Sequence, residues 1–208
     1  DSRDVINGKG NWLFYTGNES LQAYRGMDLF PEEYMEKVLD YMLQVRDRYT
    51  EEDKNFVFMI APDKELVYDQ YMPDYYFKVS DSSKAKQLVD YIRTNSDIQV
   101  LYPLDLLREE SKNQLVYYMT DTHWNDAGGF LASQEIIGAL GGQKVGLDQV
   151  SVEFAPMKPG DLGNMFHMPA SLCEDYDATV KGYHDDAQAE YPVNDIAVAG
   201  VVQSVNGK

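Results

Sequence analysis

Apolar and polar positions along the first 150 residues fall into two kinds of block. Residues 31–50 place Tyr34, Val38, Tyr41, Met42, Val45 and Tyr49 at helical spacing, which predicts an amphipathic helix with these six on its buried face. Pro31 suits a first turn, Glu32 and Glu33 complement the positive helix start, and Arg46 and Arg48 the negative end. Residues 56–60 are a continuous apolar run closed by Ala61-Pro62, the pattern of a strand covered on both sides. A second helix is expected from an N-cap at Asp81 or Ser82, with Ala85, Leu88, Val89 and Ile92 on one face. Strands follow at 98–102 and 115–119, separated by a short helical turn carrying Leu104, Leu106 and Leu107. Asn125 then caps a helix over 126–140 that packs Phe130, Leu131, Ile137 and Leu140 inward and stops at Gly141-Gly142. Buried strands alternating with amphipathic helices imply an α/β sheet sandwiched between helices.

After residue 150 the periodicity fades. Residues 152–154 read as a short strand, and Pro156, Pro159, Gly160, Gly163, Pro169 and Pro192 break up an acidic, loop-rich stretch. Residues 196–202 read as another strand, but the chain stops at Lys208 with no helix to cover it, an ending that looks cut. At 208 residues a single domain is expected, burying roughly 70% of the surface its unfolded chain would expose. The start at Asp1, with neither Met nor apolar leader, reads as trimmed.

Composition narrows the class of partner. With 44% hydrophobic and 25% charged residues the chain reads as globular, and no run approaches the roughly 18 apolar residues of a membrane span. A formal charge of -17 argues against a nucleic-acid footprint, which needs clustered Lys and Arg. The lone Cys173 excludes an internal disulfide framework and a multi-cysteine zinc site, and beside Glu174 and Asp175 it makes a poor nucleophile.

The chemistry concentrates in Thr120-Asp121-Thr122-His123-Trp124-Asn125, at the expected carboxyl end of the 115–119 strand, where open α/β sheets place their sites. An Asp two residues before a His can fix the imidazole tautomer and stabilise its charged form for general-base work. The blander alternative is that Asp121 caps a turn and His123 fills space. A metal site built from the same pair with Asp161 and His167 lacks a His pair at helical spacing or a Cys cluster, and none is expected. His184, in an acidic run, reads as a surface residue. None of the serines has the Gly and Asp flanks of a nucleophile turn; Ser204 is the least poor candidate.

Four motifs, Gly8-Lys9-Gly10-Asn11-Trp12-Leu13-Phe14-Tyr15, Ala61-Pro62-Asp63-Lys64, Tyr118 to Asn125 with Gly128, and Gly160-Asp161-Leu162-Gly163-Asn164-Met165, together resemble the AlgX/AlgJ-like family of SGNH-hydrolase-like carbohydrate O-acetyltransferases. That family is related in style to DltD and to peptidoglycan O-acetyltransferases. The resemblance implies a three-layer α/β/α fold with a mostly parallel central sheet, in which the Asp-x-His pair precedes the serine, a permuted order. Asp121 would orient and His123 act as general base, while the nucleophile would lie in a Gly-Asp-Ser-like turn downstream of Lys208. The 208 residues alone would then form no acyl-enzyme. Trp124, Lys64, Asp161 and Asn164 are its candidate substrate contacts, with a surface-paired Lys64 and core-packed Trp12, Leu13 and Phe14 as the plainer readings. The resemblance further implies a polysaccharide substrate, acetyl from a membrane-bound partner, and no cofactor. It places the protein outside the cytoplasm, membrane-anchored by a segment absent from this chain. The rival reading is a non-catalytic carbohydrate-binding or assembly module of the same fold.

Overall fold

The computed structural model describes residues 4–182 and the backbone of the strand segments 187–190 and 201–204. Chain entry is an antiparallel pair, β1 (Val5–Asn7) and β2 (Leu13–Tyr15), in register Val5 to Tyr15, joined by a turn in which Gly10 and Asn11 both take positive φ. Leu13 and Phe14 are buried along with the preceding Trp12, whose ring stacks on Tyr68 at 4.1 Å and Tyr71 at 5.0 Å. The Trp-Leu-Phe motif is therefore core.

A short helix α1 (Ser20–Tyr24) leads to α2 (Glu32–Glu51), which buries Met35, Leu39 and Met42. The expected stripe is displaced: Tyr34, Tyr41 and Tyr49 are exposed, and Val38 and Val45 are half-buried. The face that α2 hides is the one that meets Val89 and Ile92 of α4 (Lys84–Asn95). The cap of helix α4 is Ser83, one residue after Ser82 and two after Asp81, because Ser83 Oγ accepts the Lys86 N–H at 3.1 Å.

Between these helices run β3 (Val57–Met59), the short helix α3 (Lys64–Val67) and, after α4, β4 (Gln99–Leu101). β3 and β4 pair in parallel, Val57 opposite Gln99. Side-chain alternation turns Phe58 and Val100 toward α2 and α4. The other face is taken by α6 (Asp126–Ala139), which touches both strands, so this pair sits between helical layers. β3 is half-buried along its length rather than covered on both sides. The other described strand pairs are antiparallel.

Helix α5 (Leu104–Glu110) replaces the expected short turn, and its Leu107 is fully buried. Residues 115–119 form no strand. They fold back on themselves, with one bridge between Tyr117 and Trp124 and hydrogen bonds from Tyr118 N–H to His123 O and Asn125 N–H to Val116 O. α6 is capped by Asn125, whose Oδ1 accepts the Gly128 N–H at 3.1 Å. It buries Phe130 and Leu131 as expected, but Ile137 and Leu140 are exposed near its end. There Gly141 at φ +82° lets Gly142 N–H reach back to Ile137 O and Gly141 N–H to Gly138 O.

The acidic stretch after 150 holds an antiparallel pair, β5 (Ser151–Pro156) with β6 (Tyr176–Lys181), separated by α7 (Asp161–Met165). β6 rests on α6. β7 (Ala187–Glu190) pairs with β8 (Val201–Ser204). Most of the strand expected at 196–202, and His184, lie outside the described residues. No described helix is long and apolar enough to cross a membrane.

Candidate active site

The fold-back between Val116 and Asn125 presents Asp121, Thr122 and His123 at its tip, not at the end of a parallel strand. The tip is held by buried polar groups. Lys64, at the start of α3, is 2% exposed, and its ammonium donates to the carbonyls of Asp121 (2.6 Å), Tyr118 (3.2 Å) and Met119 (3.3 Å). An ammonium has three protons, so all its donors are spent within the protein. Lys64 is thus neither surface-paired nor free to bind a ligand, and it positions the loop. Burial pushes it down to about 8, against the opposing pull of Glu65, Asp175, Asp121 and Asp161.

From the other side Asp175, 1% exposed at the start of β6, accepts the Met119, Thr120 and Tyr176 N–H groups and the Thr120 hydroxyl at 2.7–2.9 Å. Thr120 Oγ1 in turn accepts the Gly160 N–H at 3.0 Å, and its carbonyl accepts the Gly163 N–H at 2.8 Å, which brings α7 against the tip. This contact needs Gly160, where a Cβ would stand 2.5 Å from the Asp121 Cβ.

Within this frame Asp121 Oδ1 lies 2.6 Å from His123 Nδ1 and also accepts the His123 N–H at 3.0 Å. Oδ2 accepts the Asp161 N–H at 2.9 Å. Partial burial pushes the Asp121 carboxyl up, but the Asp161 and His123 backbone N–H groups and the imidazole outweigh it and hold the carboxyl below the usual range. An ionised Asp121 accepts from Nδ1–H, so the lone pair of the neutral imidazole is at Nε2. The ring is 75% exposed.

Asp161 packs beside the pair, 3.9 Å from Nδ1, and its carboxylate accepts the Thr122 N–H at 2.8 Å, the Thr122 hydroxyl at 2.5 Å and the Leu162 N–H at 2.6 Å. Its geometry is that of a loop clamp. Asn164 is exposed, its amide turned back to the Pro159 carbonyl at 3.2 Å, and it lines neither hollow at His123. Asp121, His123 and Asp161 bring ligand-type atoms within 4.8 Å of one another, whereas His167 lines a separate hollow with Asn11 and Leu172. Both carboxylates of the trio already accept protein donors.

Two hollows meet at His123. One, of about 400 Å³, is lined by Tyr15, Ser20, Asp63, Glu65, Tyr117 and Trp124 among others. The other, of about 640 Å³, lies on the far side of Trp124, toward Asp126, Phe130 and Ser133. Half-buried Trp124, edge-on to Tyr117 at 6.4 Å, is their shared wall. Tyr117 donates its hydroxyl to the Pro62 carbonyl, and burial holds its proton far above the usual range. Buried Glu65 is pushed up to about 7 by desolvation, offset in part by its own N–H and that of Tyr15. The sequence did not single out Glu65, Thr122 or Asp175. Asp175 in particular was read only as an acid beside Cys173, and nothing local marks it as buried.

Fold and site together define an SGNH-hydrolase-like α/β domain. Within that class the chain belongs to the family described as "SGNH hydrolase-like domain, acetyltransferase AlgX", whose profile matches residues 5–193. A comparison with curated protein sequences gives no match. Among solved structures it is similar to the O-acetyltransferase domain of Pseudomonas putida AlgJ, with TM-score 0.56 and 21% identity over 85% of this chain and 64% of that one. It is also similar to Bacillus cereus PatB1, with TM-score 0.60 and 16% identity over 96% and 64%. A DHHW family protein from Eubacterium siraeum gives TM-score 0.58 and 15% identity over 90% and 56%. The chain therefore spans less than two thirds of the length of these neighbours, and at such identities they speak for the fold.

Proposed function

We propose that the protein is an extracytoplasmic O-acetyltransferase acting on a cell-surface or exported polysaccharide, with Asp121 orienting His123 as general base. The observation that carries this reading is the 2.6 Å contact between Asp121 and His123 Nδ1, which leaves Nε2 as the basic nitrogen of a ring that lines a cleft with Tyr117 and Trp124. The nucleophile is a serine outside the described residues. Nε2 takes the proton of that serine as its Oγ attacks the acetyl carbonyl, and the imidazolium returns it to the departing donor group. A sugar hydroxyl then gives its proton to Nε2, attacks the acetyl ester and releases the serine. Acetyl reaches the site from a membrane-bound partner.

The test is turnover of 4-nitrophenyl acetate and labelling by a sulfonyl fluoride, measured on the full-length gene product. His123→Ala is expected to lower kcat/KM by roughly 10²–10⁴-fold. Full activity in an Asp121→Ala, His123→Ala double variant would sink the assignment. Absence of both turnover and labelling in the parent would favour a carbohydrate-binding module of the same fold.

A further inference from the structure

Glu65 is only 5% exposed, yet its side chain belongs to the lining of the smaller hollow at His123. A carboxyl so placed needs donors if it is to carry charge, or an acceptor if it is to carry a proton. Two backbone donors reach it, its own N–H and that of Tyr15 in β2. The side-chain donors around the hollow are committed elsewhere. Lys64, one residue back in α3, spends its ammonium on the carbonyls of Tyr118, Met119 and Asp121. Ser20 Oγ of α1 donates to the Tyr15 carbonyl at 2.7 Å, the Tyr117 hydroxyl to the Pro62 carbonyl, and Thr122 Oγ1 to Asp161 at 2.5 Å. The Tyr15 hydroxyl stands off at Asn18, whose amide it accepts at 3.3 Å.

The other titratable groups facing Glu65 are Asp63 on its own turn, Tyr24 from α1 and Tyr117 from the fold-back. Desolvation and the charge of Asp63 oppose ionisation of Glu65 and Lys64 favours it, which leaves Glu65 titrating at about 7. In its acid form Glu65 holds a proton that no acceptor among the described residues takes. His123 and Trp124 line the same space, whose 400 Å³ falls within the roughly 300–1,000 Å³ of small-molecule sites.

Resting on the acyl-transfer reading of this cleft, we infer that Glu65 is a further substrate-contacting residue, whose carboxylic acid donates a hydrogen bond to an oxygen of the ligand that lies against His123. The ligand supplies the acceptor that the protein withholds. Buried donors left without a partner cost free energy, so the site favours a ligand that places a carbonyl or hydroxyl oxygen there. Two protonation states then matter in the cleft at once: the imidazole works as a base when neutral, and Glu65 holds the ligand while it keeps its proton.

The experiment is an NMR titration of the full-length protein with 4-nitroacetanilide, the amide counterpart of 4-nitrophenyl acetate, which keeps the acetyl carbonyl and resists transfer. In the parent, binding is expected to weaken at least about fivefold from about pH 6 to about pH 8.5, as Glu65 loses its proton. Glu65→Gln keeps a donor without the titration and is expected to bind within about threefold of the parent's pH 6 value at both pH values. Glu65→Leu is expected to bind weakly at both, like the parent at the higher pH. The inference is overturned by parent binding that does not change with pH, by a pH dependence that survives in Glu65→Gln, or by no binding at all. Turnover of 4-nitrophenyl acetate and its loss in His123→Ala report separately on acyl transfer. Turnover that depends on His123 together with pH-independent binding sinks the Glu65 contact alone, whereas absent turnover with binding that follows Glu65 sinks acyl transfer and leaves the contact standing.

Discussion

Lys64 shows how far a residue's role departs from its type. An exposed lysine spends its charge on water, but this one is buried under the rings of Trp12 and Phe14, with Nζ 5.8 and 5.3 Å from their centroids, and braces three carbonyls of the turn that carries His123. Lys64→Met keeps the stem and strands those carbonyls. The expected result is a loss of about 1–3 kcal/mol in stability and a lower kcat with KM little changed, since the turn carrying His123 loosens while the cleft walls stay. Denaturant unfolding and steady-state kinetics of the variant check both. The Asp121–His123 pairing was legible from spacing alone, because residues two apart on a tight turn are neighbours. Asp175 was not, because its four hydrogen bonds join it to residues more than fifty positions away as well as to its own neighbour.

At the scale of elements, helices α2, α4 and α6 were legible because their apolar periodicity is long. Which face α2 buries was not, since Tyr34, Tyr41 and Tyr49 and the Met35, Leu39, Met42 set both follow helical spacing, and only docking against α4 chooses between them. Residues 115–119 failed as a strand because most of their donors and acceptors go to a fold-back, to Asp175 and to Lys64, and a single bond, from the Leu13 N–H of β2 to the Met119 carbonyl, makes no ladder. Helix α7 is tied to the site by several hydrogen bonds and, at Gly160, by a close approach that gives a paired prediction. Gly160→Ala forces Asp121 away from the Asp161 N–H and is expected to cost about 1–3 kcal/mol and to depress kcat. Tyr41→Ser, on the exposed face of α2, should stay within about 0.5 kcal/mol and leave kinetics untouched. Thermal melts and kinetics of the two variants side by side distinguish a packed contact from an exposed one.

For the whole molecule, the net charge of -17 matters where carboxylates are buried. Glu65 ionises near 4.5 when solvated and near 7 in the folded chain, so the folded state holds its proton longer than the unfolded state does. The stability contributed by that proton is complete below about pH 4.5 and is lost as pH rises through about 7. Glu65→Gln keeps an acceptor for the Tyr15 N–H without the charge. Relative to the parent, it is expected to gain stability progressively across that window, by up to about 3 kcal/mol, and to hold a constant advantage above it. Denaturation midpoints from pH 4 to 8 measure the difference, and a parallel pair of curves would contradict the buried-carboxylate account.

The sequence by itself determined the alternation of helices and strands, the aromatic core motif at Trp12 to Phe14 and the Asp121–His123 pair. Each of these depends on residues close together in the chain. Only the tertiary structure decided that Lys64 and Asp175 clamp the Asp121–His123 turn, that α7 abuts it through Gly160, and which faces of the helices are hidden. Those are matters of burial and of distant partners, and a lysine or aspartate carries no local mark of whether water or a backbone carbonyl will be its neighbour.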